Sequence, residues 1–112
     1  METLRFSFTG GRALPAAPSR IVGVLGSGNL EVLVENAQQS GACSIEVSTS
    51  IEGFGSIWEA VLRDFFDRHR VGDVRISVND AGATPATVAL RLDQALEAYT
   101  QADRFIAPRP SA

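Results

Sequence analysis

The chain has 112 residues, enough for one domain with its own core and without disulfides or metal to hold it together. Hydrophobic residues make up 45% and charged residues 21%, the balance of an ordinary globular protein. The formal net charge is -3, and the ten cations, all arginine, form no basic run; nucleic acid is therefore not expected as a partner, because backbone binding needs clustered Lys and Arg.

Leu4, Phe6 and Phe8 alternate with Arg5 and Ser7, the period of a strand with one face buried. Thr9 to Ser19, rich in Gly, Pro and Ala, reads as a loop. Ile21-Val22-Gly23-Val24-Leu25 and Leu30-Glu31-Val32-Leu33-Val34-Glu35 predict the two strands of a β-hairpin, with Ser27 at its tip between Gly26 and Gly28. Leu30, Leu33, Val34 and Ala37 also stand at helical spacing, which leaves open a strand-loop-helix unit with Gly26–Asn29 as an anion-binding nest. Asn36 to Gly41 is a polar turn. Cys43, Ile45, Val47 and Thr49 then alternate with Ser44, Glu46 and Ser48 as another strand, in which Cys43 serves as a small buried hydrophobe.

Ser56-Ile57-Trp58-Glu59 has the pattern of a capping box and opens the first helix. Ile57, Trp58, Val61, Leu62, Phe65 and Phe66 form its apolar stripe, Glu59 and Arg63 pair one turn apart, and Gly72 is the expected stop after the basic last turn. Val74, Ile76 and Val78 make a strand and Asn79 to Ala83 a loop, in which Asp80 has a turn role. Thr84-Pro85 caps a second helix whose buried stripe is Val88, Leu92, Ala95, Leu96 and Tyr99.

Four strands, a helix, a strand and a helix predict an α+β fold: a mixed, mainly antiparallel sheet of about five strands with two helices packed on one face. The strand-helix-strand step from Cys43–Thr49 to Val74–Val78 is expected as a right-handed crossover between parallel strands. The domain is expected to span 1–105, with a flexible, Pro-containing tail over 106–112. Without a signal-peptide pattern or a run approaching the ~20 apolar residues of a membrane span, the chain is expected to be soluble and cytoplasmic.

The residues that could carry chemistry are few. A catalytic serine needs a base within hydrogen-bond reach and a group to orient that base. The single histidine, His69, falls at a helix end, where it reads as a terminal cation. The Gly-Ser-Gly triplet lacks the full spacing of a nucleophile elbow, and no Cys or His pair offers a metal site. Glu31 and Glu35 read as a solvated strand face. What remains is an exposed Ser27 with nothing to activate it: a serine that is acted upon.

The stretch Val22-Gly23-Val24-Leu25-Gly26-Ser27-Gly28-Asn29-Leu30-Glu31-Val32-Leu33 resembles the attachment segment of the acyl-carrier (delta) subunit of malonate decarboxylase. Three further pieces agree in order and spacing: Met1-Glu2-Thr3-Leu4-Arg5-Phe6; Thr49-Ser50-Ile51-Glu52-Gly53-Phe54 leading to Trp58-Glu59-Ala60-Val61-Leu62; and Asn79-Asp80-Ala81-Gly82-Ala83-Thr84-Pro85 followed by Arg91-Leu92. One position departs, since Asn29 stands where the family pattern has aspartate, so a recognition role for a carboxylate there is not carried over. The resemblance implies a non-catalytic carrier with 2'-(5''-phosphoribosyl)-3'-dephospho-coenzyme A joined to Ser27 through a phosphodiester, flanked by Gly26, Gly28 and Asn29. It implies acetyl and malonyl thioesters on that arm and the conversion of malonate to acetate and CO2. The implied partners are an acetyl-carrier:malonate transferase subunit, decarboxylase subunits, a prosthetic-group transferase and a malonyl transacylase. The carrier of citrate lyase uses similar chemistry, but the residues around Ser27 resemble the malonate system more. The alternative is a small regulatory α+β domain binding an anionic ligand at Gly26–Asn29; a serine hydrolase is the third reading.

Overall fold

A computed structural model describes residues 1–106, with side chains through Gln101. Seven strands and two helices follow in the order β1 (Glu2–Phe8), β2 (Arg12–Ala13), β3 (Arg20–Gly23), β4 (Leu30–Asn36), β5 (Cys43–Thr49), α1 (Gly55–His69), β6 (Val71–Gly72), β7 (Val74–Asp80) and α2 (Pro85–Ile106). Five of the strands form one sheet in the order β1-β5-β7-β4-β3, antiparallel throughout except for the parallel pair β5/β7 that α1 connects. This is the expected α+β architecture, a mixed and mainly antiparallel sheet with two helices. Of the tail expected over 106–112, Ile106 is the last residue of α2 and 107–112 lie outside the described residues.

Strict alternation decides which face is covered. Leu30, Val32 and Val34 on β4, Cys43, Ile45 and Val47 on β5, and Val74, Ile76 and Val78 on β7 are all buried. Their neighbours in sequence, among them Glu31, Ser44, Glu46 and Arg75, lie on the opposite, wetter face. Trp58, Leu62, Phe65 and Phe66 from α1 and Val88, Leu92, Ala95, Leu96 and Tyr99 from α2 close the core over the apolar face. Each such side chain withdrawn from water contributes about 1.5–3 kcal/mol before entropy is charged against it. Phe8 at the end of β1 stacks on Phe66 with ring centroids 5.2 Å apart.

Several expectations are corrected. Residues 30–36 are a strand, which removes the strand-loop-helix alternative. Strand β3 ends at Gly23, so Val24 and Leu25 belong to the connecting loop and are exposed. Helix α1 starts at Gly55 with Phe54 as N-cap, whose carbonyl accepts from Trp58 N–H at 2.9 Å; phenylalanine has no side-chain acceptor, so there is no side-chain cap. Ser56 therefore lies inside the first turn and cannot form the capping box. Ile57 faces outward, 43% exposed, rather than joining the core.

The helix stops at Arg70, which takes a left-handed φ of 49° while its N–H bonds to Phe66 carbonyl at 2.7 Å. Gly72 instead belongs to β6, which pairs in parallel with β2 inside the segment expected to be all loop. Gly72 is required there because a Cβ would collide with the Gly41 carbonyl. Thr84 caps α2 as expected, its hydroxyl accepting from Thr87 N–H at 3.2 Å.

Candidate functional site

Ser27 lies in the loop between β3 and β4, at one edge of the sheet. Its turn is set by Asn29 N–H donating to Gly26 carbonyl at 2.9 Å, which makes Ser27 and Gly28 the two central residues. Gly28 has φ +73°, the positive value that a type II turn demands at its third position and that glycine adopts without penalty. A Cβ built on either Gly26 or Gly28 would meet nothing within 4 Å, so both flanks of the serine are open space. Ser27 is exposed, and among the described residues no hydrogen bond reaches its hydroxyl.

The turn is stitched to the end of β7. Gly28 N–H donates to Ala81 carbonyl at 2.8 Å, and Ala81 N–H donates to Asn29 carbonyl at 2.9 Å. Asn29 does local work as well: its Oδ1 accepts from Leu30 N–H at 2.8 Å. The hydroxyl thus stands on a braced turn, not on a loose loop. The same bonds bear on the anion-nest reading. The amides of Gly28, Asn29 and Leu30 are all committed to oxygens of this chain, whereas a nest must point consecutive N–H groups at its ligand.

Asp80, expected in a loop, is the last residue of β7 and is buried. Its Oδ1 accepts from Ala83 N–H at 2.9 Å, and its Oδ2 accepts from Gly82 N–H at 3.1 Å and from the Thr49 hydroxyl at 2.8 Å. A buried carboxylate is tolerable only when satisfied in this way. Asp80 thereby fixes the 80–83 segment against which the Ser27 turn is braced.

His69 lies at the far end of α1 from this edge, since the helix begins just after the end of β5 that pairs with Asp80. Fifteen helical residues span about 22 Å, well beyond the reach of a general base. Its Nε2 is 2.9 Å from Asp93 Oδ1, tying α1 to α2. Cys43 is fully buried, and burial pushes its thiol up to about 12, so it is no nucleophile at neutral pH. Glu31 is not simply solvated: its Oε1 accepts from Asn79 Nδ2 at 3.0 Å, and Glu35 lies 3.6 Å from Arg75. Among the described residues no group of three or more His, Cys, Asp or Glu comes together, and no helix is long and apolar enough to cross a membrane.

What this arrangement offers is a reachable hydroxyl with no hydrogen-bond partner among the described residues, carried on the edge of a small α+β sandwich. Known proteins give that class a family. Residues 18–99 match the model described as malonate decarboxylase delta subunit (MdcD). The chain is 58% identical to a malonate decarboxylase acyl carrier protein of Xanthomonas euvesicatoria pv. vesicatoria over 104 residues, covering 92% of this chain and 99% of that protein. It is 59% identical to the protein of the same name from Burkholderia cepacia over 95 residues, covering 85% of this chain and 87% of that one. A chain in the crystal structure of a Pseudomonas malonate decarboxylase hetero-tetramer in complex with malonate superposes with a TM-score of 0.80 at 42% identity, over 88% of this chain and 99% of that one. The chain belongs to the malonate decarboxylase delta-subunit family of acyl carrier proteins.

Sequence reasoning found Ser27 and its glycines but missed the second strand of contacts that holds them. Neither Ala81 nor the Asp80–Thr49 hydrogen bond is readable from residue type. The signal available was the apolar Ala81 set between Asp80 and Gly82, too short to announce a partner in another loop.

Proposed function

We propose that this chain is the non-catalytic carrier subunit of a cytoplasmic malonate decarboxylase, with Ser27 Oγ the anchor of a 2'-(5''-phosphoribosyl)-3'-dephospho-coenzyme A arm. The observation that carries the reading is the Ser27 hydroxyl itself: exposed, without a hydrogen bond among the described residues, between two flanks where even a Cβ would meet nothing. A bulky phosphodiester fits there. A hydrolase nucleophile does not, because no described residue beside it is placed to take the proton.

When bound, the arm supplies a terminal thiol that carries acetyl and malonyl groups as thioesters, whose carbonyl acts as an electron sink. The chain's own residues anchor and present that arm. Gly28 turns the backbone so that Ser27 projects, and Ala81 braces the turn so that the root of the arm stays fixed while its far end sweeps. Tethering gives the cargo a high effective concentration at each partner site without release into solution. The partners are the acetyl-carrier:malonate transferase subunit, the decarboxylase subunits, the prosthetic-group transferase and a malonyl transacylase. Likeness to a chain of a decarboxylase hetero-tetramer supports such an assembly.

The test is the intact mass of the chain produced in a host that holds the maturation enzymes. One large adduct is expected on the wild type and none on Ser27→Ala. A wild-type chain of unmodified mass from that host counts against the proposal.

A further inference from the structure

A cavity of about 390 Å³ opens between α1, α2 and the 80–83 segment, within the size range of small-molecule sites. Trp58 and Val61 of α1 and Val88 of α2 form its apolar wall, and Ile51, Phe54 and Ile57 stand at its mouth, 42–44% exposed. Thr49 and Asp80 also line it, and their side-chain oxygens are spent. Asp80 takes the Thr49 hydroxyl, Gly82 N–H and Ala83 N–H, while Thr49 Oγ1 accepts from Ile51 N–H at 3.1 Å. The cavity thus offers an apolar, partly aromatic wall and a carboxylate whose oxygens are already paired.

Its position relative to Ser27 follows from the strand register. Leu30, Asp80 and Thr49 lie in one row across β4, β7 and β5. With strands about 4.8 Å apart, the backbone of Asp80 is about 5 Å from that of Leu30 and the backbone of Thr49 about 10 Å. Ser27 is three residues before Leu30, and the Ala81 that braces its turn directly precedes the Gly82 and Ala83 that line the cavity.

We propose that this cavity houses the acetyl-bearing end of the arm on Ser27, sheltering the acetyl thioester between visits to partners and turning away the malonyl form. The proposal rests on the carrier reading above. The acetyl end is uncharged and small, and it gains by leaving water for the Trp58 wall. A malonyl end would bring a second carboxylate toward Asp80, which is costly in a half-closed apolar space. Weak intrinsic affinity suffices because the ligand is tethered. An effective concentration of about 1 mM against a Kd of about 0.1 mM keeps the end seated about nine-tenths of the time and slows attack on it about tenfold.

Trp58 is the only tryptophan, and Cys43 is buried, so emission and thioester chemistry report on the site with little background. The experiment uses the full chain carrying the arm, confirmed by mass, loaded chemically with acetyl or malonyl, and no partner proteins. Trp58 emission and the rate of thioester cleavage by hydroxylamine are compared in the wild type, in Ile57→Asp at the mouth, and in Leu90→Asp, an exposed apolar position of α2 that does not line the cavity. An aspartate at position 57 falls in the first turn of α1, where the helix dipole favours it, so that chain is expected to fold. Acetyl cleavage about tenfold slower in the wild type and Leu90→Asp than in Ile57→Asp is expected, with malonyl cleavage alike in all three. Trp58 emission is expected to move on acetylation in the wild type and Leu90→Asp but not in Ile57→Asp. Equal acetyl rates in all three chains with unmoved Trp58 emission, or equal protection of malonyl, overturns the proposal. A chain without the adduct removes the carrier reading instead, and this one with it.

Discussion

At Ser27 the missing side chains of its neighbours matter as much as the hydroxyl. Gly26 and Gly28 clear the space around it, while Gly23 serves a different end. Gly23 closes β3 with φ +94°, and a Cβ there would strike the Leu30 carbonyl, the first residue of the partner strand. Gly23→Ala is therefore expected to cost about 1–3 kcal/mol, through left-handed strain plus the collision, and to shift the denaturant midpoint without changing the slope. Gly26→Ala, with neither positive φ nor a neighbour within 4 Å, is expected to stay within about 0.5 kcal/mol of the wild type. Equal losses at the two positions would mean that the hairpin is not closed at Gly23. The exposure of Ser27 was legible in the sequence, because flanking glycines leave nothing to shade it. Its bracing by Ala81 was not, since a backbone hydrogen bond between distant loops leaves no mark on residue type.

Among the elements, α1 shows how local patterns are overruled. Its amphipathic stripe was readable, but the helix begins two residues earlier than the capping-box pattern suggests, with Phe54 rather than Ser56 as N-cap and the Phe54 carbonyl taking the Trp58 amide. At the other end Gly72 looked like a stop, yet Arg70 ends the helix and Gly72 is held by close passage of Gly41. The last turn is fastened to α2 through Asp93, which lies 3.0 Å from Arg68 Nη1 and 2.9 Å from His69 Nε2. Partial burial pushes the Asp93 carboxyl up, but hydrogen bonds and charge from Arg68 and His69 outweigh it and leave the carboxyl below its ordinary value. A carboxyl depressed in the folded state stabilises the fold above its unfolded pKa, about 3.9, and loses that contribution as pH falls through the lower folded value. The backbone amides of Gly41 and Gln39 depress Asp73 in the same direction. Asp93→Asn is expected to lower stability at pH 7 by up to about 1 kcal/mol, as befits a pair about two-fifths exposed, and to flatten the fall in stability below pH 4. Denaturant titrations of both chains from pH 3 to 7 test this; parallel curves would mean that Asp93 contributes nothing to the acid limb.

For the whole molecule, two helices over a mixed sheet could be foreseen, because both stripes must be buried and one apolar sheet face can bury them. Strand order could not. Only β3 and β4 are joined by a tight local turn, and β1 could have met any free edge while burying the same Leu4, Phe6 and Phe8; it pairs with β5. Placing β7 between β5 and β4 sets the Asp80 segment beside both the Ser27 turn and the cavity. The central claim, that Ser27 is modified rather than reactive, has a direct test in the tryptic peptide running from Ile21 to Arg63, which holds Ser27 together with Ser40, Ser44, Ser48, Ser50 and Ser56. Fragmentation of that peptide, taken from chain matured with its modifying enzymes, is predicted to place the whole added mass on Ser27. The same mass on any other serine, or a bare peptide, would contradict the account.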